Sequence, residues 1–480
     1  MSSLLMAVSS GLVGGLLLAF LPGENKRVHN FIVLISSLIA MFFSWRLAMI
    51  LLAGRSIGID VELGRLALTL KPDPLGAVFG LIVSTHWLFI AIYSFAYMAE
   101  KDRLRTFYIF FLFALSITLG VAFAGNLLTL YIFFVLLAFA IYPLLIHERS
   151  PENIKAGKTF ILYGFLKAGI LLVALIITYY WAENLDFSAR PILEDILKPG
   201  INWLLFLYLT GFGIRAAVIP FHRWLPATMT AYTPVSALLH AVAVVYSGIY
   251  GILRTVYSVF GHEKVGELFF TNVFLYVIAF TILAGAIIAL RQDDLKRCLS
   301  YQTISHLAYI LLGTFIIHPS GLRGAIIQMF SYSLLKIIML LLAGIISELT
   351  GKKKMSRMKG IGYRLPVTMT LFAISTLGMI GILPLNTFWA KYYLMVGSVG
   401  AGKWPFSLVL IICGILNGAC FIPFIIKAFS GEKERTVLEG KGRNYILLLP
   451  PLFLTIVAVI MGLWPGMIWP FVQAVVDSFF

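Results

Sequence analysis

Apolar stretches long enough to cross a bilayer recur along nearly the whole chain, the first from Leu4 to Leu21. In hydrocarbon every backbone N–H and C=O must find its partner within the segment or in a closed barrel, so runs of this length admit only helices. We count fourteen such segments, at roughly 2–22, 30–53, 74–98, 106–123, 126–147, 155–181, 201–219, 232–256, 267–290, 297–318, 321–348, 366–396, 405–430 and 444–473. Composition agrees, since 60% of the 480 residues are hydrophobic and 12% charged, where a soluble domain carries about 25% charged residues. The expected fold is an all-α polytopic membrane protein forming one domain over 1–480. The first segment is long enough to remain as a spanning helix.

The net charge of +16 does not indicate nucleic-acid binding, because the basic residues are spread over loops instead of gathering on one face. Alternate loops hold about 22 Lys and Arg on one side, Lys26, Lys101 and Lys352 to Lys354 among them, and about 9 on the other. The positive-inside rule then puts the 349–365 loop in the cytoplasm and both termini outside the cell membrane. The longest outer loops, 54–73 and 182–200, are too short for a soluble domain. Cys298, Cys413 and Cys420 form no CxxC or Cys/His cluster, which argues against an iron–sulfur centre or structural zinc. No cofactor, metal or catalytic residue is expected, and any electrons of a redox complex would travel elsewhere.

Function is first indicated by three cations. Arg215, Lys336 and Lys391 each sit within an apolar segment, while all 21 acidic residues fall in loops or at segment ends. A cation at a helix centre costs at least about 2.5–3.5 kcal/mol, so it usually faces a bundle interior or a water-filled path. Two segments also carry helix-breaking prolines beside such a cation, Arg215 to Pro220 in the seventh and Pro384 to Lys391 in the twelfth. Broken helices survive at depth only when buried in protein or lining a cavity. They lie five segments apart, and an odd spacing reverses direction. This is the pattern of an inverted repeat, segments 4–8 (106–256) against 9–13 (267–430), flanked by three helices in 1–105 and a last one at 444–473.

The stretch from Gly211 to Pro226, then Tyr232 to His240, resembles the proton-translocating antiporter-like family. That family covers the large membrane subunits of respiratory complex I, Mrp-type cation/proton antiporters, membrane-bound hydrogenases and related archaeal complexes. Gln292 to His306 and Gly381 to Lys391 are further matches, and the resemblance extends over nearly the whole chain. It implies buried polar residues and water wires carrying protons through two linked half-channels, in a multi-subunit assembly.

The match is uneven. Where the family commonly has a buried glutamate in the fifth helix, this chain has Val135. The seventh-helix lysine is Arg215, the eighth-helix lysine is Tyr246, and the aspartate after Trp-Leu-Pro is Ala227. In the eleventh helix, histidines often found in the family give way to Gln328 or Tyr332, while Lys336 and Lys391 match. Val135 removes the ion-pair partner, guanidinium does not deprotonate usefully, and a tyrosine is a poor proton carrier near neutral pH. The first half-channel is therefore expected to be degenerate. Gln328, Tyr332 and Lys336 share one helical face at i, i+4, i+8, which predicts a polar seam in the second.

Lys391 and Lys336 are the leading ion-translocation candidates; snorkelling or a structural cation is the plainer alternative. For Arg215 a structural fixed charge is favoured, one that repels cations or pairs with a carboxylate of a neighbouring subunit. His240 enters a polar path only through the family match, and Lys167 would compensate for the lysine missing at Tyr246. Mixed charges at Asp293, Asp294, Lys296 and Arg297 are expected to pair within their own turn. The expected function is an antiporter-like subunit of a redox-driven or Mrp-type complex, translocating protons or sodium. Its partners would be other membrane subunits, antiporter-like paralogues included, and the lipid bilayer. The competing reading is a structural subunit that conducts nothing. A stand-alone transporter is disfavoured, because no carboxylate lies at depth to hold a coupling cation.

Overall fold

The computed structural model describes residues 2–430 and 441–480 except 22, 24, 65 and 189, so the loop that would join the last two expected segments lies outside the described residues. The chain forms two compact units, one of residues 1–91, 98–274 and 470–480, the other of 92–97 and 275–469.

The first unit begins with α1 (Ser2–Phe20) and α2 (Lys26–Leu52), then β1 (Ile59–Leu63) and β2 (Leu66–Leu70), followed by α3 (Pro74–Tyr97), α4 (Leu104–Ala122), α5 (Leu127–Leu145) and α6 (Pro151–Ala182). It continues through α7 (Ile201–Arg215), α8 (Thr233–Ala241) and α9 (Val244–Arg254). Small residues let its helices approach: a Cβ at Gly11 of α1 would strike the Leu112 carbonyl of α4. Asn126 caps α5 by accepting from Thr129 N at 2.8 Å, and its amide also donates to Ala67 O of β2. The hairpin is an addition to the all-α expectation. Its register pairs Ile59 with Leu70 and Leu63 with Leu66, and the turn uses Gly64 at φ +69°. Below it, Asp73 holds Arg254 bidentately at 2.5 Å to each nitrogen, with the guanidinium stacked on Phe187 and Tyr250.

The second unit holds most of α10 (Phe269–Leu290), then α11 (Leu295–Phe315), α12 (Pro319–Thr350), α13 (Pro366–Ile380), α14 (Thr387–Gly400), α15 (Pro405–Ala428) and α16 (Lys441–Leu463). α12 is its axis, packed against α11, α13, α14 and α16. α17 (Trp469–Asp477) closes the chain. The last apolar segment, read from the sequence to 473, stops at Leu463 because Pro465 and the turn around it interrupt the helix.

Eleven helices among the described residues are long and apolar enough to cross a membrane, and α7 and α13 are shorter apolar ones. Both expected breaks are present. α7 ends at Arg215, Ala217 adopts φ +57° and the Ile219–Pro220 bond is cis; α13 ends at Ile380, Gly381 adopts φ +88° and the Leu383–Pro384 bond is cis.

The charged turn before α11 works differently from the local pairing expected. Asp294 caps α11, accepting from Arg297 N at 2.9 Å, while Asp293 reaches Ser356, accepting from its N and Oγ at 2.8 and 2.6 Å. A carboxylate gains more from oriented N–H and O–H donors than from mobile exposed lysines. Those two bonds hold the Asp293 carboxyl below its usual range.

Candidate functional site

The titratable side chains of the second unit converge on α11. Lys336 of α12 is fully buried and donates to the Leu299 carbonyl of α11. Lys391 of α14, 7% exposed, donates at 2.5 Å to Ile380 O, the carbonyl left open where α13 breaks. Its Nζ also lies 5.6 Å from the ring centre of Tyr309. The broken helix thus serves the lysine directly, since a helix end exposes carbonyls that favour a cation. Gly381 makes room for this: a Cβ there would sit 2.5 Å from Lys391 Cδ.

His306 of α11 is fully buried, and its ring centre lies 4.9 Å from that of Tyr309, the ring Lys391 approaches. Asn417 of α15 donates to its Nε2 at 2.8 Å while also donating to Met379 O at 3.1 Å. The Gln328 amide lies 3.4 Å from Nδ1. With Asn417 donating to Nε2, a neutral ring carries its proton on Nδ1. Tyr332 stacks on the imidazole at 4.7 Å between centroids and 5° between planes. Of the residues expected on one face, Gln328 and Tyr332 meet His306, which Asn417 also contacts, while Lys336 reaches the Leu299 carbonyl; His306 and Asn417 were not singled out as candidates. His306 stood in a quoted motif, but nothing in the sequence brings residues 306 and 417 together.

The first unit is built otherwise. Arg215 is fully buried and faces no carboxylate of the described residues within ion-pair distance. Its Nε donates to Val244 O and Ser247 Oγ at 3.0 and 3.1 Å, and Nη1 to Phe134 O at 3.4 Å. The guanidinium lies 4.5 Å from the Phe134 ring centre, and Lys167 Nζ approaches that ring at 5.6 Å. Nη2 has no hydrogen-bond partner among the described residues. Carbonyls, one hydroxyl and a ring face thus stand where an ion-pair partner was expected to be missing. Tyr246 in α9 and His240 in α8 are both fully buried in this unit, and Ala227 sits in the short helix Trp224–Ala227.

Residues 124–416 match the family model described as NADH:quinone oxidoreductase/Mrp antiporter, TM. Subunit N of the NADH-quinone oxidoreductase of Desulforudis audaxviator is 30% identical over 410 residues, covering 82% of this chain and 81% of that one. Na(+)/H(+) antiporter subunit A1 of Staphylococcus aureus is 26% identical across 98% of this chain, which spans 62% of that longer subunit. Among solved structures, the archaeal membrane-bound sulfane sulfur reductase superposes with a TM-score of 0.90 at 19% identity, over 100% of this chain and 98% of its counterpart.

Proposed function

The chain belongs to the membrane family of NADH:quinone oxidoreductases and Mrp antiporters, and from that premise we propose that it is an ion-translocating subunit of a multi-subunit membrane complex. Its fourteen spans are the eleven long helices, α11, and the two broken pairs, with α7 joined to the turn after it and α13 to α14. Segments 4–8 and 9–13 form the inverted repeats, both termini face outward, and neighbouring subunits supply the driving reaction.

Protons or sodium ions cross through the second repeat. The observation that carries this reading is the buried set Lys336, His306 and Lys391, in which each lysine rests on a backbone carbonyl and pairs with no carboxylate of the described residues. A lysine held by a backbone carbonyl and by no ion pair can exchange its proton, and a hydrogen-bonded imidazole can relay it. The first repeat does not conduct: Arg215 remains charged on its carbonyls, and Tyr246 replaces the carrier.

A structural subunit without conduction is the second reading, favoured by Val135, Arg215 and Tyr246 in the first repeat. Ion movement by the intact complex in sealed vesicles separates the two. We expect Lys391→Ala and Lys336→Ala to assemble and to lower the ions moved per turnover. Unchanged stoichiometry in both assembled variants would leave the structural reading standing.

A further inference from the structure

Three consecutive carbonyls at the end of α13 each take a side-chain donor. Thr387 Oγ1 of α14 donates to Gly378 O at 2.6 Å, Asn417 Nδ2 of α15 to Met379 O at 3.1 Å, and Lys391 Nζ of α14 to Ile380 O at 2.5 Å. A helix end leaves its last carbonyls without helical partners, and where they are buried other donors must meet them. Asn417 differs from the other two donors in serving a second group. It is fully buried, and its amide nitrogen also lies 2.8 Å from His306 Nε2, so one amide ties the break to the imidazole.

The two contacts together fix which way round the amide sits. A backbone carbonyl only accepts, so the atom 3.1 Å from Met379 O is the NH2. Turned over, the amide would set Oδ1 against the carbonyl oxygen, two acceptors with no proton between them. The NH2 has one hydrogen for each neighbour, and Nε2, which receives one of them, is the bare nitrogen of the ring. The proton of the neutral imidazole then sits on Nδ1, on the side of the Gln328 amide of α12 at 3.4 Å. Tyr332, stacked at 5° to the imidazole, holds the ring plane. A proton arriving at Nε2 would meet the N–H of Asn417. The amide has to turn before the ring accepts there, and turning breaks its bond to Met379 O.

We propose that Asn417 is a positioning residue of the ion path, holding the resting imidazole in the Nδ1–H form by bonding His306 Nε2 and Met379 O with one NH2. Proton entry at Nε2 is thereby coupled to release of Met379 O, the carbonyl next to the one that holds Lys391. The assignment rests on the proposed function, in which His306 relays protons. In the relay step a proton bonds to Nε2 from the side of the break and the Nδ1 proton leaves toward α12. The ring keeps one proton and changes tautomer. Asn417 then presents Oδ1 to the new N–H and turns back when the ring resets. An asparagine that merely tied α15 to α13 would have no effect on the tautomer.

The test is solid-state NMR of the intact complex, carrying isotope-labelled histidine and reconstituted in phosphatidylcholine, with the His306 signals identified by their loss in His306→Gln. Ring nitrogen shifts report the tautomer directly. Wild type is expected to show Nδ1 protonated and Nε2 bare. We expect Asn417→Leu to move the tautomer ratio about fivefold or more toward Nε2–H, as loss of one buried hydrogen bond implies. Gln328→Leu, which leaves the Asn417 bonds in place, is expected to keep the Nδ1–H form. A wild-type ring protonated on Nε2, or a ratio unchanged in an assembled Asn417→Leu complex, overturns the proposal. Should that variant fail to assemble, the wild-type spectrum decides by itself, Nδ1–H supporting the assignment and Nε2–H overturning it. Ions moved per turnover, measured on the same variants, separate this proposal from conduction itself. A fall in Asn417→Leu together with the shifted tautomer supports the coupling. A shifted tautomer with ion movement at the wild-type value, while Lys336→Ala and Lys391→Ala lower it, overturns the coupling and leaves conduction standing. Unchanged movement in both lysine variants sinks conduction, and the role of Asn417 in a path with it, whatever the spectrum shows.

Discussion

Lys391 depends on a residue that carries no chemistry. Gly381 sits at φ +88°, where a side chain costs about 1–2 kcal/mol, and a Cβ would also collide with the Lys391 stem. Gly381→Ala therefore displaces the ammonium from Ile380 O, and vesicle assays are expected to show the same loss of ion movement as Lys391→Ala. His306→Phe makes the complementary case. Phenylalanine keeps the stack on Tyr332 but leaves the Asn417 and Gln328 amides facing a ring without nitrogen. Thermal unfolding should reveal a destabilisation of about 1–3 kcal/mol, and ion movement should fall in the assembled complex. The sequence made Lys391 and Lys336 legible because an unpaired cation among apolar residues is conspicuous. Asn417 was not, since one amide in an apolar helix resembles many others until the fold puts it against His306.

Helices show the same division between what is local and what is not. Hydropathy located most apolar helices to within a few residues, since the bilayer thickness sets their length, and prolines marked both breaks; the last helix ended ten residues early, at Leu463. The β1–β2 hairpin was passed over inside a loop, although Ile-Asp-Val-Glu-Leu alternates as a strand does. Contacts between distant helices stayed hidden. The clearest is Cys298 at the start of α11 against Cys420 in α15, their Sγ atoms 3.2 Å apart across 122 positions of sequence, both free thiols. Sequence spacing alone said only that they form no motif. Mild oxidation with copper phenanthroline should join them, with two of the three thiols lost to titration and Cys413 retained. Cys298→Ser should abolish that loss, whereas two thiols still consumed in the variant would mean α11 and α15 do not meet this way.

Each unit taken whole has its own charge logic. In the first, two buried cations, Arg215 and Lys167, approach one phenylalanine ring, and Arg215 is tied to three oxygen acceptors. A guanidinium so held keeps its proton through any turnover, and its positive field opposes a second cation nearby. In the second, two lysines each hold one carbonyl, and a buried imidazole accepts from the Asn417 amide. Proton exchange needs groups whose charged and neutral forms are close in free energy, and the proposed path assigns that role to Lys336, His306 and Lys391. The two units should therefore respond differently to the same kind of change. Arg215→Met and Lys167→Met keep much of the side-chain volume and remove charge from the first unit. They are expected to leave the ions moved per turnover at the wild-type value, whereas Lys336→Ala or Lys391→Ala lowers it. Proton and sodium uptake measured in sealed vesicles against turnover of the intact complex gives the comparison directly. A fall caused by Arg215→Met in an assembled complex would assign conduction to the first unit as well and remove the distinction drawn from its missing glutamate at Val135.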